Sequence, residues 1–234
     1  MGDNSVNDNS MAALEQHGAV WVLAMRNGEN RFNLESIAAL HDALDRVERV
    51  DGPCALVTTG EGKFYSNGLD LDWLLSAGPE AALFIPDVHR LLGRILGFPG
   101  ITVAAVNGHA FAGGGMLACA HDKVVMREDR GYWCLPEVDL GLPLSPAMYA
   151  VVAAHIPEAV LRDALHSGTR FSGPDALAAG IVTEVAAEEQ VLERAIALAS
   201  ELAAKNRDVI RAHKALMYGD ALRLCGIGVA GSGE

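Results

Sequence analysis

Glu137 stands among apolar neighbours, with Trp133, Leu135, Val138 and Leu140 around it in the sequence. Burial there would raise its carboxyl pKa toward neutrality, where a carboxyl exchanges protons most effectively. Taken alone, an isolated glutamate of this kind is more often a surface residue on an edge or loop. A second chemical feature is the run Gly113-Gly-Gly115, which closes the apolar stretch Val103 to Phe111 just before a helix-like segment. Glycines where a strand enters a helix bring unpaired backbone N–H groups bare to a surface, and the helix dipole there favours an anion or a developing oxyanion. Gly60-Glu-Gly-Lys-Phe-Tyr-Ser-Asn-Gly-Leu-Asp70 has the same setting, between the strand-like Ala55 to Thr59 and the apolar Leu69 to Leu75.

Other residues carry less. His109 reads as a ring packed under its loop. His121-Asp122 stands at a helix end, where the histidine would neutralise the C-terminus. Asp139 would share the face of Glu137 if the segment were a strand. No His, Cys or carboxylate cluster has metal-ligand spacing, so no metal is expected, and neither glycine group has the Gly-x-Gly-x-x-Gly nucleotide spacing.

Three segments in order resemble the crotonase superfamily of enoyl-CoA hydratases and isomerases. Phe64-Tyr-Ser-Asn-Gly68-Leu69-Asp70 is similar to the family's Phe-x-x-Gly-x-Asp element. Asn107-Gly108 to Gly115 resembles its Asn-Gly-x-x-x-Gly-Gly-Gly element, and Leu135-Pro136-Glu137-Val-Asp-Leu-Gly141 its Pro-Glu-x-x-x-Gly stretch. The resemblance runs from about Leu14 to about Lys214. It implies that the amides of Leu69 and Gly113 hold an acyl-CoA thioester oxygen and that Glu137 is the acid/base. Ser66, Gly68, Asp70, Leu71 and Gly114 would lie along the CoA and acyl chain, and Lys214, in the basic segment Lys205 to Lys214, would meet CoA phosphates. Coenzyme A enters as part of the substrate, and no separate cofactor is implied. Leu71, Trp73, Leu74, Phe84, Val88, Trp133 and Leu142 are candidate acyl-pocket residues.

The departure from the family is Met116. Hydratases usually carry a second glutamate there, and the two carboxylates together hold a water. A thioether cannot accept a proton from water. The stretch after Gly141 also lacks the hydratases' glycine-rich Gln-Arg ending. A single glutamate suffices to isomerise 3-enoyl-CoA to trans-2-enoyl-CoA, the activity expected here. A weak hydratase using Glu137 alone and a silent acyl-CoA-binding paralogue are the alternatives.

The elements that must position these residues read as alternating strands and helices, an α/β fold with parallel pairing. Ala19 to Met25, Ala55 to Thr59, Ile101 to Val106, Lys123 to Arg127 and Gly180 to Val185 read as strands; helices are expected over Leu34 to Val50 with Asn33 as cap, Pro79 to Phe98, Gly114 to Ala120, Glu188 to Ala204 and Asn206 to Tyr218. The resemblance sharpens this to a spiral of ββα turns with a C-terminal helical trimerisation region. The expected organisation is a disordered leader over 1–13, the core over 14–188, C-terminal helices over 189–224 and a flexible tail over 225–234. A homotrimer or hexamer is implied.

Composition fits one domain: of 234 residues, 50% are hydrophobic. The net charge of −12 argues against nucleic acid as a partner. Cys54, Cys119, Cys134 and Cys225 have no paired spacing, which suggests reduced thiols in the cytoplasm. The first ten residues are polar and acidic, unlike a signal peptide; Val6 breaks the myristoylation pattern, and the C-terminus lacks Ser-Lys-Leu. No stretch is long and apolar enough to span a membrane.

Overall fold

The computed structural model describes residues 8–9 and 11–228. Strands β1 (Asp8–Asn9), β2 (Ala12–His17) and β3 (Val20–Met25) pair antiparallel at the start of the chain. Helix α1 (Leu34–Glu48) follows, capped as expected by Asn33, whose side chain accepts from Ser36 N while Ser36 Oγ accepts from Asn33 N. This reciprocal pairing satisfies two of the N–H groups that a helix start leaves open. The face carrying Ile37, Leu40, Leu44 and Val47 is buried.

The chain then repeats one pattern three times. It lays β4 (Ala55–Gly60) and β5 (Phe64–Ser66), then helices α2 (Leu71–Ser76) and α3 (Ala81–Leu96). Next come β6 (Ile101–Val106), β7 (His109–Phe111) and α4 (Gly113–Cys119), then β8 (Lys123–Arg127), β9 (Trp133–Cys134) and α5 (Glu137–Leu140). In each repeat the first strand joins a large sheet and the second joins a small one. This is the expected strand, strand, helix spiral. Helices α6 (Pro146–Ala153), α7 (Glu158–Ser167) and α8 (Gly173–Ala178) lead to β10 (Glu184–Ala186), and α9 (Val191–Leu202) and α10 (Arg207–Leu224) end the described chain.

The large sheet has the order β1-β2-β3-β4-β6-β8-β10, parallel from β3 onward. The small sheet, β5-β7-β9, is parallel throughout. Side chains alternate across the large sheet. Ala55, Val57, Val103, Ala105 and Val125 face α9, whose Ala195 and Ala199 lie one turn apart and admit close approach. Leu56, Ala104, Val106, Val124 and Met126 face the opposite way, into the main core. Within the chain α10 packs against α3 and α6.

Three expectations change. Ala12 and Ala13 are buried in β2, so the ordered chain begins earlier than residue 14; residues 1–7 and 10 lie outside the described residues. At the other end Cys225 is buried and Ile227 packs on the core, so residues 225–227 belong to the packed body; the tail reading of 229–234 lies outside the described residues. Asp139 is on a helical turn rather than a strand. Its Oδ2 is directed to Gly168, 2.7 Å from where a Cβ on that glycine would stand, and not into a face shared with Glu137.

Candidate active site

The C-terminal ends of β5, β7 and β9 lie side by side, and each delivers one part of a single cavity. Within β5, Tyr65 turns inward and is fully buried, with its hydroxyl 2.7 Å from Thr58 Oγ1. Tyr65 stands three residues before Gly68, so the aromatic position of the Phe-x-x-Gly-x-Asp spacing falls on it and not on Phe64. The chain then bends at Gly68, with φ of 75°. A Cβ there would lie 2.8 Å from Gly113 N and 2.9 Å from Phe111 O, so only glycine fits both the backbone angle and the space.

Phe32 fixes the direction of the next residue. Its N–H donates to Gly68 O at 2.7 Å and its carbonyl accepts from Asp70 N at 2.9 Å. In such a parallel bridge the residue between the two bonded groups turns its own N–H and C=O the other way. The Leu69 amide therefore faces away from Phe32, and Leu69 is one of the residues that line the cavity. Gly113 is the first residue of α4, and its N–H is one of the donors a helix start leaves unpaired. Neither amide is bonded to a carbonyl or side chain among the described residues. Ala112, between β7 and α4, has φ of 50° and ψ of −123°, a strained conformation for a residue with a Cβ. It is held by Ala112 N donating to Cys134 O and Ala112 O accepting from Met116 N, both at 3.0 Å.

Glu137 opens α5 just after β9. Its backbone carbonyl accepts from Leu142 N at 3.0 Å, and its Oε2 is buried with no hydrogen-bond partner. Burial pushes the carboxyl from its ordinary 4.5 to about 7, against a smaller opposing pull from its own backbone N–H. Leu69, Leu71, Met116, Leu142, Leu144 and Met148 supply most of the apolar wall. The cavity is about 110 Å³, the space of a few waters. Glu137 is the one titratable side chain among its lining residues. Met116 is 2% exposed and lines the same cavity as Glu137.

One further polar side chain, Asn67, lines the cavity, and the sequence reading passed over it. Its Nδ2 donates to Glu29 Oε2 at 2.9 Å, and Glu29 also accepts from Arg31 Nε at 2.8 Å. The signal available was its place directly before Gly68.

Several expected binding residues do other work. Lys214 is 4% exposed; its Nζ donates to Asp122 Oδ2 at 2.8 Å and to Gly100 O at 3.0 Å, so it is no surface cation for a phosphate. Arg207 in the same basic segment reaches inward to Pro99 O at 2.7 Å. Ser66 is fully buried: its Oγ donates to Asn30 O at 2.7 Å and accepts from Gly68 N at 3.2 Å, so it shapes the Gly68 bend and its side chain is closed to CoA. Gly114 packs against β5, with space for a Cβ blocked 2.2 Å from Ser66 O, and is absent from the cavity lining. Asp70 caps α2, accepting from Trp73 N at 3.1 Å, and faces a separate surface hollow with Glu29, Arg31 and Asp72. Of the proposed acyl-pocket residues, Leu71 and Leu142 line the cavity. Trp133, Phe84 and Val88 are core, and Trp73 and Leu74 pack against it.

The histidines also settle. The His109 ring lies 5.3, 4.9 and 5.8 Å from the Phe64, Phe111 and Tyr132 rings. His121 does bond the end of α4, with Nδ1 2.8 Å from Leu117 O and Nε2 2.9 Å from Thr58 Oγ1, but burial pushes its pKa down to about 3. It meets the helix end as a neutral donor and not as the cation expected. Asp122 accepts from Thr102 N, Thr102 Oγ1 and Lys214, which makes it a structural anchor of β6.

Comparison with known proteins adds independent findings. A family profile described as enoyl-CoA hydratase/isomerase matches residues 15–223. The chain is 37% identical over 228 residues to the Arabidopsis thaliana enoyl-CoA delta isomerase 3, covering 92% of this chain and 94% of the relative. It is 35% identical over 230 residues to the same plant's peroxisomal enoyl-CoA delta isomerase 2, covering 93% and 95%. A putative enoyl-CoA hydratase of Thermus thermophilus is 36% identical over 222 residues, covering 92% and 85%. Among solved structures, an apo enoyl-CoA isomerase of Mycobacterium tuberculosis superposes with a TM-score of 0.86 at 29% identity, covering 93% of this chain and 95% of that one. Among the described residues no helix is long and apolar enough to cross a membrane.

Proposed function

The chain belongs to the enoyl-CoA hydratase/isomerase family, and from that premise we propose that it converts 3-enoyl-CoA to trans-2-enoyl-CoA with Glu137 as its only proton carrier. The observation that carries this reading is the cavity wall: one buried carboxyl with an unpartnered oxygen, two free backbone amides, and no second titratable side chain among the lining residues.

The steps balance on those groups. The Glu137 carboxylate takes a proton from C2 of the thioester, and the C2–H electron pair moves into a dienolate whose charge collects on the thioester oxygen. The amides of Leu69 and Gly113 donate to that oxygen. One such donor is worth about 100- to 1,000-fold in rate. The protonated Glu137 then returns its proton to C4, the double bond now lies between C2 and C3, and the carboxylate is regenerated. A carboxyl near pKa 7 is present in both protonation states at neutral pH and can serve both halves, while the two amide donors offset the weak acidity of the C2 proton. The apolar wall, Met116 included, keeps water from the dienolate.

The test is incubation of the purified protein with cis- and trans-3-enoyl-CoA thioesters of several chain lengths, following the conjugated product by absorbance, with Glu137→Gln alongside. Turnover lost in the variant supports the reading. Turnover kept in the variant, or hydration of 2-enoyl-CoA as fast as isomerisation, overturns it.

The assembly belongs to the same proposal. Leu216 and Met217 on α10 are 83% and 68% exposed, an apolar surface suited to cover by further copies in a homotrimer or hexamer, to be read by light scattering. The site of action is proposed to be the cytoplasm, since four unpaired cysteines suit a reducing compartment. The relative named as peroxisomal makes the peroxisome the outcome of cell fractionation that would overturn this.

A further inference from the structure

One part of the cavity wall is the short segment between α5 and α6. After α5 the chain turns at Gly141, with φ of 68°, and runs through Leu142, Pro143 and Leu144 to Ser145, the cap of α6. Leu142 and Leu144 line the cavity, as does Met148 one turn into α6. Leu142 N donates to Glu137 O at 3.0 Å and Leu144 packs partly against the core, but Pro143 has no N–H to bond and Leu142 is 44% exposed. The tie of this stretch to α3 is at Ser145. Ser145 Oγ accepts from Met148 N at 3.2 Å and lies 2.8 Å from His89 Nε2, on α3. His89 is part-buried, and burial holds its imidazole below the ordinary range, in the neutral form. Neutral imidazole bonds a hydroxyl in either direction, so the contact ties α3 to the cap whichever group donates.

We propose that His89 is a positioning residue for the acyl chain: through Ser145 it holds in place the Leu142 to Met148 wall that an acyl group longer than acetyl would meet. This rests on the cavity being an acyl-CoA site, though not on the isomerase reaction. His89 touches no reacting atom. It comes from a helix in a different turn of the spiral from Glu137, 56 residues before Ser145, so the wall is set by the packing of α3 on α6. A short acyl group, which ends before the wall, is indifferent to this tie.

The experiment compares binding of two unreactive thioesters, acetyl-CoA and octanoyl-CoA, by calorimetry to the unmodified protein, His89→Leu, Ser145→Ala, the double variant and His89→Gln. The loss of one buried hydrogen bond predicts octanoyl-CoA binding weakened about fivefold in His89→Leu, with acetyl-CoA unchanged. The double variant should lose no more than the worse single one, because both break the same bond. His89→Gln, whose amide can still reach Ser145, should recover most of the affinity. With 3-octenoyl-CoA, KM should rise while kcat stays within about twofold.

Equal weakening of both thioesters, additive losses in the double variant, or an unmodified protein that binds neither thioester would overturn the proposal. Should His89→Leu fail to fold, Ser145→Ala and His89→Gln carry the same comparison. An unmodified protein that binds octanoyl-CoA but does not isomerise 3-octenoyl-CoA would overturn the isomerase reading and leave the length-dependent binding result standing.

Discussion

Gly68 lies against Gly113 so closely that a methyl group built on Gly68 would stand 2.8 Å from the Gly113 nitrogen. The two backbones touch beside Leu69 and Gly113, which both line the cavity, and the bend of one sets the distance to the other. Gly68→Ala is therefore expected to lower kcat/KM by about 100-fold or more while costing the fold about 1–3 kcal/mol. Chemical denaturation beside the kinetic assay separates the two effects. A variant with full activity would show that the amides are not set by this contact.

The Glu137 carboxyl, raised to about 7, must lose its proton to act as base. Activity as kcat/KM should climb as pH rises through about 7 and level off above it. Stability moves the other way. A carboxyl whose folded pKa is raised binds more protons folded than unfolded between 4.5 and about 7, so stability falls as pH rises through that window. Glu137→Gln removes this loss, and should gain up to about 3 kcal/mol over the unmodified protein above pH 7 and almost nothing below pH 4.5. Urea titrations at the two ends of that range would show it; an equal difference at both would place the carboxyl in water.

Met116→Glu puts a second carboxyl on the same wall. Two like charges in one cavity raise each other's pKa, so the pH limb should move up by about one unit or more, with a lowered Tm. Hydration of 2-enoyl-CoA should become measurable in this variant. If the unmodified protein already hydrates as fast as the variant does, Met116 does not discriminate between the two reactions.

Lys214→Met tests the buried pair. It leaves Asp122 without its cation at the base of β6, and should cost about 3–5 kcal/mol of stability. The KM for acyl-CoA should stay within about twofold, because the lysine has no access to a phosphate. A large rise in KM with stability intact would restore Lys214 as a ligand contact.

What the amino-acid pattern revealed followed burial. Strands β6 and β8 were legible to the residue, as Ile101–Val106 and Lys123–Arg127, because a strand covered on both faces is a continuous apolar run. The small sheet was not legible as strands: Phe64–Ser66, His109–Phe111 and Trp133–Cys134 are too short for alternation to register, although the glycines after them marked the cavity. Ala12 and Ala13 were hidden beside a polar N-terminal stretch. Lys214 misled because a lysine on an amphipathic helix is ordinarily solvated, and only tertiary packing brought Asp122 to it. The strain at Ala112 left no trace in the sequence, since alanine is not a residue that signals positive φ.

Two of the groups assigned to the proposed reaction are main-chain amides, those of Leu69 and Gly113, carried by cavity-lining residues just after β5 and β7. No side-chain exchange at Leu69 or Gly113 other than to proline can delete its N–H donor. In the proposed reaction, enolate stabilisation would thereby be inherited with the fold, and the choice of reaction would rest on a few replaceable side chains such as Met116 and Glu137. A scaffold divided in this way can change its chemistry by single codon steps and keep the costliest part of the catalyst untouched.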